Sequence, residues 1–385
     1  MQGLHQDRRI DVLIPVYNSA ATVGSAIDSI CAQTVSNLRI IVVDDGSSDE
    51  TARILAGKAA SDSRIVVVTI PHGGIVDALN AGLVHCTAEF IARHDADDIA
   101  YPHRFATQLA YLDANPECIA VSSFARHVDG GGRPSGGLEA SFPDAFNLDW
   151  IPYKEPRLLH PFLMVRRSAL LAIGGYRYVY HAEDVDLCWR LQEIGRLHVI
   201  PKPLGDYRIH AQSVTGRSTL NGRISAIYSQ LAAISALRRR SNHSDLTFPR
   251  SAIDLMTAAV TAAGILEVGE RELNSTECSS LKAAFAAQYQ GLAIWRSYDI
   301  ELDDCRFIRA ALAAVEPHLP SGNRRSLRSS RAVLCARLLS KGRLRTAMVL
   351  LSLDTLVETA VRFGVYATYD CLPARVRVAL ATWRQ

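Results

Sequence analysis

Short apolar, β-branched runs alternate with helical patterns through the first half of the chain. "IDVLIP" (10–15), "LRIIVVD" (38–44), "RIVVVTI" (64–70) and "EFIARHD" (89–95) are the predicted strands. Between them, 20–33, 48–60 and 74–86 carry apolar residues at helical spacing, as at Ala26, Ile27, Ile30 and Cys31. This alternation predicts βαβ units, hence an α/β fold with a Rossmann-like, mostly parallel sheet flanked by helices. Near-continuous apolar strands such as "IIVV" fit a sheet covered on both faces. The stretch 127–160 is rich in Gly and Pro and reads as a long loop. From about residue 220 Gly and Pro thin out, and Ala, Leu and Arg dominate at helical spacing. Residues 1–220 are therefore expected to form the α/β domain and 221–385 an all-helical C-terminal domain.

The polar sequences fall at strand ends, where such sheets bind ligands. "PVYN" follows the first strand, "DDGSSD" the second and "HDADD" the fourth. In an extended segment residues i and i+2 share a side, so Asp95 and Asp97 face one point and Asp98 faces away. Hard carboxylate oxygens suit Mg²⁺ or Mn²⁺, with the phosphates of a substrate completing the shell. Asp98 is read as the cap of a helix that Pro102 starts. In "DDGSSDET", Ser47 with Glu50 forms a plausible capping box and Gly46 supplies the turn. That leaves Asp44 and Asp45 at a strand end, where a carboxylate can accept hydrogen bonds from a base or ribose. In "YHAEDVDLCWRLQEIG", Glu183, Asp184 and Asp186 lie in the first turn of a helix, which the dipole alone would favour.

Composition narrows the setting. The charge of +3 is too small to imply nucleic acid. The eight cysteines form no CxxC pair, which fits a reducing compartment rather than a disulfide scaffold or a zinc site. The N-terminal sequence lacks the apolar core of a signal peptide, and "AMVLLSL" (347–353) is too short to span a bilayer. A cytoplasmic chain is expected. From Pro317 to Leu353 there is no acid, yet Arg324, Arg325, Arg328, Arg331, Arg337, Lys341, Arg343 and Arg345 all occur. Such a segment reads either as a peripheral contact with the inner face of the membrane or as a solvated helix face.

In order and spacing, these pieces resemble a family-2 glycosyltransferase with the GT-A fold. The resemblance rests on "VLIPVYNSAATVGSAIDSICAQT" (12–34), "IIVVDDGSSDET" (40–51), "GGIVDALNAGL" (73–83) and "EFIARHDADDIAYPHRFATQL" (89–109). It continues through "HPFLMVRRSALLAIGGYR" (160–177), "AEDVDLCWRLQEIG" (182–195) and "PLGDYRIHAQSVT" (203–215). It implies inverting transfer of a sugar from a nucleotide diphosphate donor, commonly a UDP- or dTDP-sugar, to a hydroxyl of a glycan or lipid-linked acceptor in cell-surface polysaccharide or glycolipid synthesis. Carried over by residue, Pro15, Val16, Tyr17, Asn18, Asp44, Asp45, Gly74, Asn80 and Asp95 would bind the nucleotide-sugar. Asp97, Asp95 and His210 would hold Mn²⁺ or Mg²⁺. Asp184 takes the place of the general base, with Glu183 as the acid preceding it. His72, His94 and Arg39 depart from the pattern, and the two histidines bear on donor preference. Two other readings compete: a metal-dependent sugar nucleotidyltransferase and a non-catalytic nucleotide-sugar-binding relative. The first would need a basic Gly-rich loop that "PVYNSAATVGSA" lacks.

Overall fold

The computed structural model describes residues 9–141, 146–209, 218–296 and 298–369. Its first half alternates β1 (Ile10–Val16), α1 (Val23–Cys31), β2 (Leu38–Asp44), α2 (Thr51–Ser61), β3 (Ile65–Thr69), α3 (Ile75–His85) and β4 (Phe90–Arg93). These match the strands and helices expected from the hydrophobic pattern. There follow β5 (Ile99–Ala100), α4 (Arg104–Ala114), β6 (Cys118–Val128), β7 (Pro134–Glu139), β8 (Met164–Arg166), α5 (Arg167–Ala172), α6 (Glu183–Gln192) and β9 (Arg196–Arg208). The rest is helical: α7 (Thr219–Arg240), α8 (Ala252–Ala259), α9 (Ala262–Gly269), α10 (Ser275–Trp295), α11 (Leu302–Ala313), α12 (Ser321–Ser340), α13 (Leu344–Leu350) and α14 (Leu353–Tyr369).

The strands form one mixed sheet in the order β3-β2-β1-β4-β8-β6-β9-β5, with β7 pairing β6. β1 runs parallel to β2 and β4, and β2 parallel to β3. Beyond β4, β8 is antiparallel to both β4 and β6, while β6 and β9 are parallel. Part of the expected long loop is thus a hairpin of β6 and β7. "PSGGLE" shows no apolar alternation because β7 is a half-exposed edge strand, held by backbone pairing instead of side-chain burial.

Period-two alternation divides β1 and β2 between two cores. Ile10, Val12, Ile14, Ile40 and Val42 pack with Ile27, Leu55, Phe105 and Leu112 on one face. Leu13, Ile41 and Val43 pack with Leu79, Leu83, Leu170, Leu187 and Leu191 on the other. Strands buried on both faces read as continuous apolar runs, which is why they were legible. A third core joins the C-terminal helices and includes Tyr153, Val179, Ala182 and Trp189 from the first half. The helical region thus packs directly on α6.

Gly82 allows α3 to lie close on β1. A Cβ there would stand 2.2 Å from Leu13 Cδ1 and 2.9 Å from Val43 Cγ2, both on fully buried side chains. Gly82→Val should therefore overpack this layer and destabilise the protein by about 1–3 kcal/mol, read as a lower denaturant midpoint at unchanged m value.

Candidate active site

The site forms at the carboxyl ends of β1, β2 and β4, beside the N-terminus of α6. After β1, Tyr17 is 46% exposed and Asn18 takes a positive φ of 47°. The next loop is laced to it: Asn18 N–H donates to Ser47 Oγ (2.9 Å), and Ser48 N–H donates to Asn18 Oδ1 (2.8 Å). Asp44 is buried and accepts from Ser47 N–H at 3.0 Å. Ser47 is therefore spent within the site, and the expected capping box with Glu50 does not form: α2 starts at Thr51, whose N–H donates to Asp49 Oδ1.

Asp45 is buried and holds the opposite wall. Its two oxygens accept the N–H groups of Gly73 (2.8 Å) and Gly74 (2.9 Å), and His72 Nδ1 lies 2.9 Å from Oδ2. The Tyr17 and His72 rings stack with centroids 4.1 Å apart. Gly74, with φ of 93°, gives the wall a conformation that side-chain-bearing residues rarely adopt. Pro15 and Val16 lie inside β1, and the Val16 side chain belongs to a core. Asn80 spends both ends of its amide on Tyr176, donating to the carbonyl at 2.9 Å and accepting from the N–H at 3.0 Å. Asp44 Oδ1 and both ends of the Asn80 amide are thus engaged by the backbone and brace the site internally.

Past β4 the chain turns at Ala96–Asp97 instead of staying extended. The i, i+2 argument consequently fails for Asp98, which joins the other two acids. Ligating oxygens of Asp95, Asp97 and Asp98 all lie within 4.8 Å of one another. Asp98 does not cap α4, which begins at Arg104 after His103. It is buried, accepts from Arg208 N–H at 2.8 Å, and leaves Oδ2 without a partner. Burial raises the Asp95 carboxyl above its ordinary range despite Arg93 beside it. Burial, with the charges of Asp95 and Asp97, raises Asp98 well above it. Three hard oxygen donors, one with an orphaned buried atom, fit a divalent cation of the Mg²⁺ or Mn²⁺ type. His210 lies outside the described residues.

The acids of α6 separate by role. Asp186 is fully buried and pairs with Arg177 and Arg190, which is structural. Asp184 is half-buried, with Oδ1 accepting only the N–H of Val185 among the hydrogen bonds described. Glu183 is buried, keeps Oε2 unpartnered, and has its pKa raised to about 8 by burial and by Asp184. Asp95 and Asp184 each act on the charge of Glu183, which places the turn after β4 and the head of α6 in one electrostatic neighbourhood.

Several residues here escaped sequence reasoning. Arg93 ion-pairs with Asp95 while its Nε and Nη1 find no partner. An arginine ending the apolar run "FIAR" was the available signal, since a buried charge demands a partner. Arg208 donates to the carbonyls of Asp97 (2.8 Å) and Gly130 (2.9 Å), tying the β6–β7 turn to the acids. Glu155 accepts from Ser229 Oγ of α7 at 3.1 Å, and burial, with a contribution from Asp184, raises its pKa. No local signal marks Glu155 or Arg208. His94 is fully buried against Arg104 and Phe162. His72 remains half-exposed beside Tyr17.

Residues 11–174 match the family model described as glycosyl transferase family 2. The chain is 31% identical over 192 residues to the putative glycosyltransferase EpsE of Bacillus subtilis, covering 49% of this chain and 68% of that protein. It is 31% identical over 216 residues to the O-antigen biosynthesis glycosyltransferase WbnJ of Escherichia coli, covering 55% of this chain and 83% of WbnJ. This chain belongs to glycosyl transferase family 2. The enzyme is a glycosyltransferase, as its relatives are. Among solved structures, a mannosyltransferase from Pyrobaculum calidifontis, in complex with GDP-Man and Mn²⁺, shares the fold. Its TM-score is 0.50 at 18% identity, over 97% of this chain and 87% of that one.

The Glu183 carboxyl generates a pH prediction. An acid whose folded pKa lies near 8 binds more protons folded than unfolded, so its contribution to stability falls as pH rises from the ordinary glutamate range through about 8. Metal-free enzyme should lose stability across that window in urea titrations, and Glu183→Gln should flatten the slope. An unchanged slope in that variant would remove Glu183 as its source.

Proposed function

We propose that this glycosyltransferase performs a single inverting displacement, moving a sugar from a UDP- or dTDP-sugar to a hydroxyl of a cell-surface polysaccharide or glycolipid intermediate. The observation that carries the reading is the gathering of three carboxylates within 4.8 Å of one another, with the half-buried Asp184 near enough to act on the charge of Asp95. An in-line inversion needs one base on the acceptor side and charge neutralisation on the leaving-group side, with no protein nucleophile. Asp184 takes the proton from the acceptor hydroxyl as its oxygen attacks. Glu183, with its pKa raised to about 8, is largely protonated at neutral pH and adds little negative charge beside the base. Asp95 and Asp97, with the spare Asp98 oxygen, would hold Mn²⁺ or Mg²⁺. When bound, the ion acts as a Lewis acid on the departing diphosphate. Arg93 fixes the Asp95 carboxylate, and Arg208 fixes the turn that carries Asp97.

Tyr17, with its exposed ring over His72, is assigned to the nucleoside, and Asp45 holds the Gly73–Gly74 backbone opposite it. We assign transfer to residues 1–220 and place the helical region, 221–385, on the acceptor side. The link from Glu155 to Ser229 supports this, since it brings α7 to the side of the site where Asp184 lies. The acceptor class is supported by relatives named for O-antigen and amylovoran biosynthesis. A cytoplasmic location fits a cytosolic nucleotide-sugar donor.

Asp184→Asn should lower turnover at least ~10²–10⁴-fold, the usual worth of a positioned base, while leaving donor binding intact. Transfer at a near-normal rate would exclude Asp184 as the base. A thermal-shift panel of UDP-, dTDP- and GDP-sugars, each with and without Mn²⁺, reads donor and metal together, because a ligand of the folded state raises the melting temperature. One nucleotide class should stabilise the enzyme only with metal, and Asp97→Ala should abolish that shift. A metal-independent shift that survives Asp97→Ala would defeat the assignment.

A further inference from the structure

The first turn of α6 is held from outside rather than by its own sequence. Its N-cap is Ala182, which has no side-chain oxygen to accept the leading N–H groups of the helix. Asp184, second in the helix, turns its own Oδ1 to the N–H of Val185 at 2.9 Å. Just ahead, His181 takes a φ of 60°, a left-handed conformation that a side-chain-bearing residue keeps only where its surroundings impose it. The surroundings here are α7. The buried Ser225 donates its hydroxyl to the His181 carbonyl at 3.0 Å. Tyr180, one residue earlier, sets its ring against Tyr228 of α7 with centroids 6.0 Å apart, and donates to the Arg250 carbonyl at 2.9 Å.

We propose that Ser225 and Ser229 of α7 are positioning residues for transfer, holding the two segments that flank Asp184. The inference rests on Asp184 being the base. The serines lie one helical turn apart and so share a face of α7. A serine inside a helix ordinarily returns its hydroxyl to a carbonyl one turn back. These two direct theirs across to loops of the first half of the chain instead. Ser229 donates to Glu155 Oε2 at 3.1 Å. Gln230 Nε2 (3.0 Å) and Gln288 Nε2 of α10 (3.1 Å) donate to Ser229 Oγ, which fills its acceptor positions and leaves its proton for Glu155. Gln230 Oε1 accepts the N–H of Tyr153 at 2.9 Å, fixing the start of the segment that carries Glu155. Asp184 acts on the charge of Glu155, so both serines brace neighbours of the base. Alanine would pack these buried positions with no polar group to satisfy. What the hydroxyls contribute is placement. Without Ser225 the peptide after His181 is free to rotate toward the ordinary right-handed region, and the start of α6 moves with it.

Hydrogen exchange and turnover of the full chain test the proposal together. Turnover is read as nucleotide released, with water as acceptor, from the nucleotide-sugar class that stabilises the enzyme with Mn²⁺. Ser225→Ala should lower kcat at least ~10-fold, at unchanged KM for the donor and an unchanged donor-induced thermal shift. Amide exchange over 178–188 should quicken at least ~10-fold while other segments exchange as in the parent. Ser229→Ala should lower kcat in the same way, with its faster exchange at 153–159. Ser225→Thr, which keeps the hydroxyl, should restore both rate and protection. Glycine takes a left-handed φ without a side-chain penalty, so His181→Gly in the Ser225→Ala background should recover part of the rate. A kcat that Ser225→Ala leaves unchanged, in an enzyme that Asp184→Asn inactivates, overturns this inference alone. A near-normal rate in Asp184→Asn overturns the reading beneath it, and the inference with it. Faster exchange throughout the chain, with loss of the donor shift, would make the serines props of the general fold and overturns their positioning role as well.

Discussion

Repulsion among carboxylates is the constraint around which this molecule is organised. Asp95, Asp97, Asp98, Glu183 and Asp184 are brought to one end of one sheet, where burial and mutual charge push Asp95, Asp98 and Glu183 toward the protonated state. A fold does not gather acids in this way for stability, because an unpaired buried carboxylate costs several kcal/mol. The arrangement persists because the surroundings over-determine it. Arg93 clamps Asp95, the Arg208 main chain and guanidinium hold Asp98 and the turn at Asp97, and the parallel strands fix where β4 must end. A dication among the acids would remove the repulsion, which is the physical content of the metal assignment.

The opposite wall follows a different rule. There the polar groups are satisfied internally. Asp44 takes Ser47, Asp45 takes Gly73 and Gly74, and Asn18 takes Ser48. Such loops are preorganised: their backbone is fixed before a nucleoside arrives, so little ordering entropy remains to oppose binding. The exposed ring of Tyr17 is left beside them as the surface proposed for the nucleoside. In the proposed reading, donor binding and chemistry fall to two walls of unlike character, one braced by hydrogen bonds and one short of them.

How legible this was in the sequence follows from the range of the interactions. β1 to β4 announced themselves because burial on both faces leaves no polar position in the run. β6 and β7 did not, since Ser122, Ser123 and a Gly-rich edge break the pattern and backbone pairing holds them instead. The acids after β4 were legible as a cluster of hard oxygen donors, but Asp98 and Ser47 were assigned to helix caps because both sit where local capping rules apply. Long-range partners, Arg208 for Asp98 and Asn18 for Ser47, took precedence over those rules. Glu155 and Arg208 act through residues distant in sequence, and spacing carries no trace of that. Nor does the stretch 317–353 show in sequence how much of its charge is paired: it has no acid of its own beyond Pro317, yet Glu316 and Asp299 pair with Arg328, Arg331 and Lys341.

α6 joins the two halves of the protein. Leu187, Cys188 and Leu191 pack into the core of the sheet, while Trp189, on the same helix, is buried in the core of the C-terminal helices. Asp186 binds Arg177, which also reaches Asp245 and Ser235 of the helical region. The helix that begins with Asp184 is therefore held from both sides at once. A rigid element shared by two cores is the kind of support on which a proton acceptor can be positioned to fractions of an ångström. It also makes the helical region more than an appendage. Through Arg177 and Trp189 it packs on the helix whose first turn carries the proposed base.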